Sequence, residues 1–170
     1  MSTSTFTRRA GLVAIGALAL QGCANPAPTP AMATSSVRFR NITVDVRAEV
    51  GDPTVTWLQQ DLPGAIARAL GPYYAPGDPS GATLVARIDY IYLGPSSGGT
   101  GPAGASQDTI KGVLIVRGPH GGVPAETPLR ATSFYYPMAV DQALVERAYR
   151  GRVSDLAQAF AGWVPRELGL

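Results

Sequence analysis

The sequence predicts an α+β fold: a four-stranded mixed, largely antiparallel sheet with helices packed on one face. Four segments alternate apolar and polar residues or are rich in β-branched and aromatic residues, as strands are. Two further segments carry apolar residues at the helical spacing i, i+4, i+7, i+8. Glycine and proline, 20 and 15 residues in a chain of 170, cluster between these segments. The resulting order of elements is β-α-β-β-β-α.

The first half of the predicted fold is one strand followed by one crossover helix. The strand covers residues 37–49, in which valine and isoleucine alternate with polar residues. The helix covers about 54–71, and it suits a right-handed connection to a parallel neighbouring strand. The pair Pro63-Gly64 leaves two interpretations open, because it either kinks this helix or starts a second helix that Asp61 caps.

Three antiparallel strands are predicted to follow. The segment 83–93 is largely apolar on both faces, which is typical of a central strand. A loop rich in glycine, serine and proline, 94–107, leads to a strand over 109–117. The loop 118–128 leads to the last strand, 129–136. Connections of this kind favour antiparallel neighbours in the sheet.

The C-terminal region is predicted to be helical and to dock on the sheet. Asp141 opens the first helical segment, and Gly151 is expected to break it. Ser154 then has the character of an N-cap for a second segment, whose apolar stripe contains Leu156 and Phe160.

The residues that most catalytic and metal sites use are scarce in this chain. Its one histidine, His120, lies in a predicted glycine-rich turn, and its one cysteine is Cys23. The glycine-rich segment 98–104 lacks the lysine of a phosphate-binding loop and does not open a helix. We therefore expect no catalytic residue, no metal site and no cofactor.

Charged and aromatic residues of the predicted sheet indicate surface contacts instead. Arg87 and Asp89 share one face of a strand, where a cross-strand ion pair is expected, with Lys111 among the candidate partners. Tyrosine is frequent in interfaces, and adjacent strand residues face opposite sides, so some tyrosines are expected at the surface. The predicted partner surface consists of Tyr90, Tyr92, Tyr135 and Tyr136.

The N-terminal 22 residues have the organisation of an export signal. Residues 1–9 are polar and end in Arg8 and Arg9, and residues 10–20 form an uncharged apolar run. A helix of that length rises about 16 Å, which is too short to cross a hydrocarbon core of about 30 Å. The segment 20–23, Leu-Gln-Gly-Cys, follows the run directly, where a signal of this kind is cleaved.

This ending resembles the lipobox of bacterial lipoproteins. The resemblance implies that the thiol of Cys23 receives a diacylglyceryl group and that the chain is cleaved between Gly22 and Cys23. It also implies acylation of the new amino group, and two or more acyl chains hold a protein stably on a membrane. The pair Arg8 and Arg9 resembles a twin-arginine export signal. By resemblance to the enterobacterial sorting pattern, Ala24 favours the outer membrane, with the domain facing the periplasm.

The mature chain is predicted to consist of a tether and one domain. Residues 23–36 are the lipidated cysteine and a tether rich in proline, and residues 37–168 form the domain. At about 3.1 Å per residue, the tether reaches roughly 40 Å from the bilayer. The chain has 14 Lys+Arg and 12 Asp+Glu, and since Arg8 and Arg9 lie in the leader, 12 of each remain. This balance argues against nucleic-acid binding.

The anchor at Cys23, the segment 62–70 and the strand order after it resemble auxiliary lipoproteins of envelope transport and assembly systems. We have in mind the lipopolysaccharide-assembly lipoprotein class and the auxiliary lipoproteins of ABC transporters. The resemblance implies a non-catalytic, membrane-tethered accessory that binds an envelope protein partner through a sheet edge or the tyrosine-bearing face. Two alternatives stay open: a carrier of a small molecule or lipid, which needs an apolar cavity under the helices, and an enzyme.

Overall fold

The computed structural model describes residues 37–95, 105–120, 123–135 and 142–170. The chain separates into two units, Met1–Pro30 and Ala31–Leu170, and every described residue belongs to the second. The elements are β1 (Phe39–Val46), α1 (Thr54–Leu70), a 3-10 turn (Gly71–Tyr73), β2 (Ala82–Tyr92), β3 (Ser106–Arg117), β4 (Ala125–Tyr135) and α2 (Gln142–Glu167). The predicted order β-α-β-β-β-α is confirmed.

The four strands form one mixed sheet in the order β1-β2-β3-β4. β1 runs parallel to β2, and α1 provides the crossover that a parallel pair requires. β2, β3 and β4 are antiparallel neighbours, as predicted. The sheet is therefore mixed and largely antiparallel, with β1 and β4 as its two edges.

One face of the sheet carries the hydrophobic core. Alternate residues are buried there, from Ala82 to Ile88 in β2 and from Ser106 to Val116 in β3, and Leu84, Ile88 and Leu114 have no exposed surface. Leu62 of α1 and Phe160 of α2 belong to the same core cluster and are equally buried, so both helices pack on this face. Burying one such side chain contributes about 1.5–3 kcal/mol. The opposite face is covered by none of the described helices and is called the open face below.

The first helix is continuous through its proline. α1 extends from Thr54 to Leu70 with Pro63 inside it, so the prediction of a second helix capped by Asp61 is wrong. Asp61 instead accepts a hydrogen bond from Arg150 of α2 at 2.9 Å. The proline removes one backbone donor. Burial of the apolar stripe on both sides of the proline outweighs that loss; the stripe comprises Leu58, Leu62, Ile66 and Leu70.

The second helix is also continuous, so the predicted break at Gly151 and the predicted N-cap at Ser154 are wrong. α2 runs from Gln142 to Glu167, and Ser154 lies in its interior. Arg152 and Val153 follow the glycine directly and are 3% and 1% exposed. Their anchoring on the sheet outweighs the loss of about 1 kcal/mol that glycine causes in a helix.

The exposed Gly151 offers a test of this continuity. A Cβ atom built at this position meets nothing within 4 Å. Gly151→Ala is therefore expected to raise the free energy of unfolding by about 0.5–1 kcal/mol, since alanine loses less backbone entropy in a helix. Urea unfolding followed by circular dichroism measures the shift. A lower midpoint for the variant would show that α2 is interrupted at this residue.

The hairpin between β3 and β4 is longer than the pattern predicts. β3 begins at Ser106 instead of 109, and β4 begins at Ala125 instead of 129. Pro128 lies within β4 and pairs with Val113 of β3. A proline is tolerated in a strand at a sheet edge, where its missing donor faces away from the ladder. Proline is a loop signal in a sequence pattern, so the pattern predicts a later start for this strand.

Candidate functional site

The most distinctive surface of the described domain is an aromatic patch on the open face. Its three rings are among the most exposed large hydrophobic side chains: Tyr90 is 44%, Tyr92 48% and Phe134 54% exposed. Lys111 lies opposite Tyr90 across the β2–β3 ladder, and Arg130 lies opposite Lys111 on β4. These five residues, spread over three adjacent strands, define the open-face patch. Two of the four tyrosines of the predicted partner surface, Tyr90 and Tyr92, thus lie in this patch. The partner itself stays a prediction.

A β-bulge in β2 turns the two tyrosines outward. The ladder register shifts between Ile88 and Tyr90, so an extra residue is inserted before Tyr90 pairs with Lys111. Strict alternation would continue the inward direction of Ile88 to Tyr90 and Tyr92. After the bulge, Ile91 faces the core instead and packs against it. Bulges commonly re-aim side chains in this way.

Gly112 permits the two strands to approach each other at the bulge. It pairs with Ile88, and a Cβ atom at this position would lie 2.2 Å from the backbone oxygen of Arg87. Any other residue would force the strands apart at this point. Gly112 is therefore a structural requirement for the orientation of the patch, and the sequence pattern alone did not identify it.

The charges next to the patch pair differently from the prediction. Arg87 and Asp89 pair with each other along β2, with Nε 3.0 Å from Oδ1, so the expected cross-strand ion pair is wrong. Lys111 places its Nζ 4.9 Å from the centroid of the Tyr90 ring, a cation–π contact. None of the ion pairs in the described part of the chain includes Lys111 or Arg130.

Tyr135 does not belong to the patch, although it was predicted with the other tyrosines. It pairs with the buried Ser106 and faces the helices, where the guanidinium of Arg152 lies 4.7 Å from its ring centroid. Its neighbour Phe134 takes the outward position. Alternation along β4 could have identified Phe134, because adjacent strand residues face opposite sides. Tyr136, the fourth predicted residue, lies outside the described residues.

A buried ion pair connects α2 to the sheet beside Tyr135. Arg152 donates from Nε to Oδ2 of Asp108 at 2.9 Å and from Nη2 to Oδ1, and the two side chains are only 3% and 1% exposed. Nη2 also donates to the carbonyl of Gly94 at 2.7 Å, and the Gly94 amide donates to Asp108 at 2.9 Å. The ring of Tyr149 lies 5.2 Å from the guanidinium carbon. The pair holds the end of β2, the start of β3 and α2 together.

This ion pair has a structural role. Burial by itself lowers the pKa of Arg152. The hydrogen bonds to Asp108 and the negative charge of that carboxylate together outweigh this effect, so the pKa lies above its ordinary value. The guanidinium therefore stays charged, and it offers no proton for acid–base chemistry. Gly94 is required here as well, because a Cβ atom would lie 2.9 Å from the backbone oxygen of Gln107.

The other candidate sites among the described residues show fewer features of a functional site. His120 is exposed in the connection between β3 and β4. No three histidine, cysteine, aspartate or glutamate side chains gather as metal ligands would in the part of the chain that the structure describes. No described helix is long and apolar enough to span a bilayer. The predicted sites Arg8, Arg9, Gly22 and Cys23 lie outside the described residues.

A shallow groove lies between α1 and α2. Its volume is about 180 Å³. Its lining is mostly polar and consists of Gln60, Asp61, Gly64, Ala65, Arg68, Ser154, Ala157 and Gln158. A carrier of an apolar ligand would need an enclosed apolar cavity under the helices. This groove does not meet that requirement.

Both edges of the sheet carry features that oppose the addition of another strand. β4 has Pro128 and exposed charged residues at Glu126 and Arg130. β1 has an irregular register between Phe39 and Asn41. Proline, charge and irregularity are usual protections of edge strands. The open face is therefore the better candidate for an interaction surface than either edge.

Comparison with known proteins gives partial likenesses of structure. No protein-family model matches the sequence, and no curated protein is significantly similar to it. A minor lipoprotein from Acinetobacter baumannii is 13% identical, with 75% of this chain and 94% of that chain covered and a TM-score of 0.41. A dodecamer of a PelC variant from Paraburkholderia phytofirmans is 12% identical, with 78% and 88% covered and a TM-score of 0.44. Rare lipoprotein B from Shewanella oneidensis is 12% identical, with 76% and 93% covered and a TM-score of 0.34. TM-scores this low carry no functional argument.

Proposed function

We propose that this protein is a lipid-anchored, non-catalytic binding accessory of the cell envelope. It is anchored through Cys23 in the outer membrane, faces the periplasm, and binds an envelope component through the open-face patch. The observation that carries the location is the lipobox-like segment 20–23, in which the single cysteine of the chain follows an apolar run directly. Acyl chains on that cysteine give stable membrane attachment.

The binding role rests on the open-face patch. Three aromatic side chains between 44% and 54% exposed lie on a face that no described helix covers, and two cations that none of the described ion pairs includes adjoin them. Clustered exposed aromatic residues are a feature of interaction surfaces. The strongest polar network in the described residues, Arg152 with Asp108, is fully satisfied internally and offers no reactive group. The envelope protein partner expected from the sequence stays a prediction.

The anchor is tested by Cys23→Ser. The variant is expected to be lost from the outer-membrane fraction, to remain uncleaved, and to incorporate no palmitate, because serine offers no thiol for diacylglyceryl transfer. Membrane fractionation, the size of the product and labelling with palmitate measure these three properties. The matched control, Ala24→Ser, places the same residue one position later and is expected to be processed as wild type. Unchanged processing and retention of Cys23→Ser would rule out the proposed anchor.

A further inference from the structure

Among the described residues, no ion pair compensates the two positive charges of the open-face patch. Lys111 and Arg130 are directly opposed in the β3–β4 ladder, both are exposed, and none of the described ion pairs includes either of them. Like charges directly opposite each other destabilise a sheet. The nearest carboxylate on β2, Asp89, is already paired with Arg87 at 3.0 Å. An anionic ligand at this place would relieve the repulsion.

The rings around these cations favour a ligand with both polar and apolar parts. Tyr90 and Tyr92 present an apolar ring with a hydroxyl group at its end, and Phe134 adds a purely apolar ring. Tyrosine is enriched where a membrane meets water, since its ring sits among the headgroups. Lysine and arginine near such rings are attracted to anionic lipids. The composition of the patch therefore matches the headgroup layer of a bilayer.

The tether gives the patch access to that layer. The domain begins at residue 37, next to the start of β1, and Phe39 pairs with Ala82 at the start of β2. The patch lies near the other end of β2, about 33 Å away at 3.3 Å per residue. The segment 24–36 reaches roughly 40 Å when extended. A protein anchored at Cys23 thus experiences lipid headgroups at a high effective concentration.

We infer that the open-face patch binds the anionic headgroup layer of the membrane to which the protein is anchored, with Lys111 and Arg130 contacting the phosphates. This inference rests on the proposed anchor for the proximity of the membrane. Each cation near an anionic surface strengthens binding by about fivefold, so the two together account for about 25-fold. The aromatic rings set the depth at which the face sits.

The test replaces residues 1–23 with a hexahistidine tag, and nickel-chelating lipid in the vesicles then supplies the anchor. All buried residues of the described core lie between Phe39 and Val164, so this mature chain retains the whole core. Gln107→Cys places a single thiol on the open face opposite Phe134, and Gln158→Cys places one on the exposed surface of α2 as the matched control. A fluorophore on each thiol reports quenching by nitroxide-labelled headgroups.

Quenching at position 107 is expected to exceed quenching at 158 in vesicles of phosphatidylcholine with phosphatidylglycerol. It is expected to fall to the level of 158 in phosphatidylcholine alone, or when K111Q and R130Q are combined. Urea unfolding verifies that this variant is folded. Equal quenching at the two positions, or quenching insensitive to phosphatidylglycerol, would overturn the inference. Because the tag replaces the lipid in this experiment, such a failure does not contradict the proposed anchor at Cys23. A photo-crosslinker at position 92 that trapped a protein in cells would then identify a protein partner instead.

Discussion

Replacing Arg152 by alanine is expected to lower the free energy of unfolding by about 3–5 kcal/mol, the usual effect of breaking a buried ion pair. The side chain of Asp108 is 1% exposed, so its charge would remain buried without a counter-charge. The carbonyl of Gly94 would lose its donor at the same time. Urea unfolding followed by circular dichroism is expected to show a lower midpoint with an unchanged slope.

The matched control for this variant is Arg150→Ala, two residues earlier on α2. Arg150 also pairs with an aspartate, Asp61, at 2.9 Å, but these two side chains are 36% and 23% exposed. Water screens such a pair, so its loss is expected to cost no more than about 1 kcal/mol. Equal losses for Arg150→Ala and Arg152→Ala would contradict the assignment of the buried pair as the anchor of α2.

A double replacement separates the loss of contacts from the burial of a lone charge. Arg152→Met combined with Asp108→Leu removes both charges and retains much of the buried volume. The double variant is expected to be more stable than Arg152→Ala, because it leaves no uncompensated charge in the interior. Any free energy of unfolding that the double variant still lacks relative to wild type is attributed to the amide and carbonyl of Gly94, which lose their hydrogen-bond partners.

Gly112→Ala is expected to destabilise the domain by about 3 kcal/mol, the upper part of the range for overpacking. The added Cβ atom would lie 2.2 Å from the backbone oxygen of Arg87, and backbone atoms cannot move aside as a flexible side chain can. The strands must separate at the bulge, and the ladder hydrogen bonds around Ile88 weaken. Hydrogen exchange at residues 87–90 should therefore accelerate more than exchange in the rest of β2.

Gly151→Ala provides the comparison for this variant, because the same replacement is made where a Cβ atom meets nothing. The two changes are expected to shift the urea midpoint in opposite directions. A near-neutral Gly112→Ala would mean that the bulge can open without cost. In that event Tyr90 and Tyr92 would not be held outward by the backbone, and the patch would lose its structural basis.

The order of the elements was accessible from the sequence because it depends on local periodicity. The helix predicted over 54–71 is observed over Thr54–Leu70, and the central strand predicted over 83–93 is observed over Ala82–Tyr92. Alternation and helical stripes are properties of consecutive residues, so they can be read without knowledge of distant contacts. Glycine and proline usually mark the ends of helices and strands, but Pro63, Pro128 and Gly151 lie inside α1, β4 and α2, where packing outweighs local preference.

The site depended on contacts that local patterns do not contain. A bulge is a mismatch between two strands, so alternation along β2 alone does not show that Tyr90 and Tyr92 face away from Ile88. Tyr135 faces the helices, whereas its neighbour Phe134 lies on the open face with Tyr90 and Tyr92.

Composition and order along the chain were enough to predict the arrangement of strands and helices, since this depends on neighbouring residues. The export signal and the modified Cys23 rest on neighbouring residues too, and they stay predictions. The buried pair of Arg152 and Asp108 joins residues 44 positions apart, and the opposed cations Lys111 and Arg130 meet only through the register of a hairpin. Register and burial arise when the whole core assembles, because hydrophobic packing selects one pairing among many that the separate segments would accept.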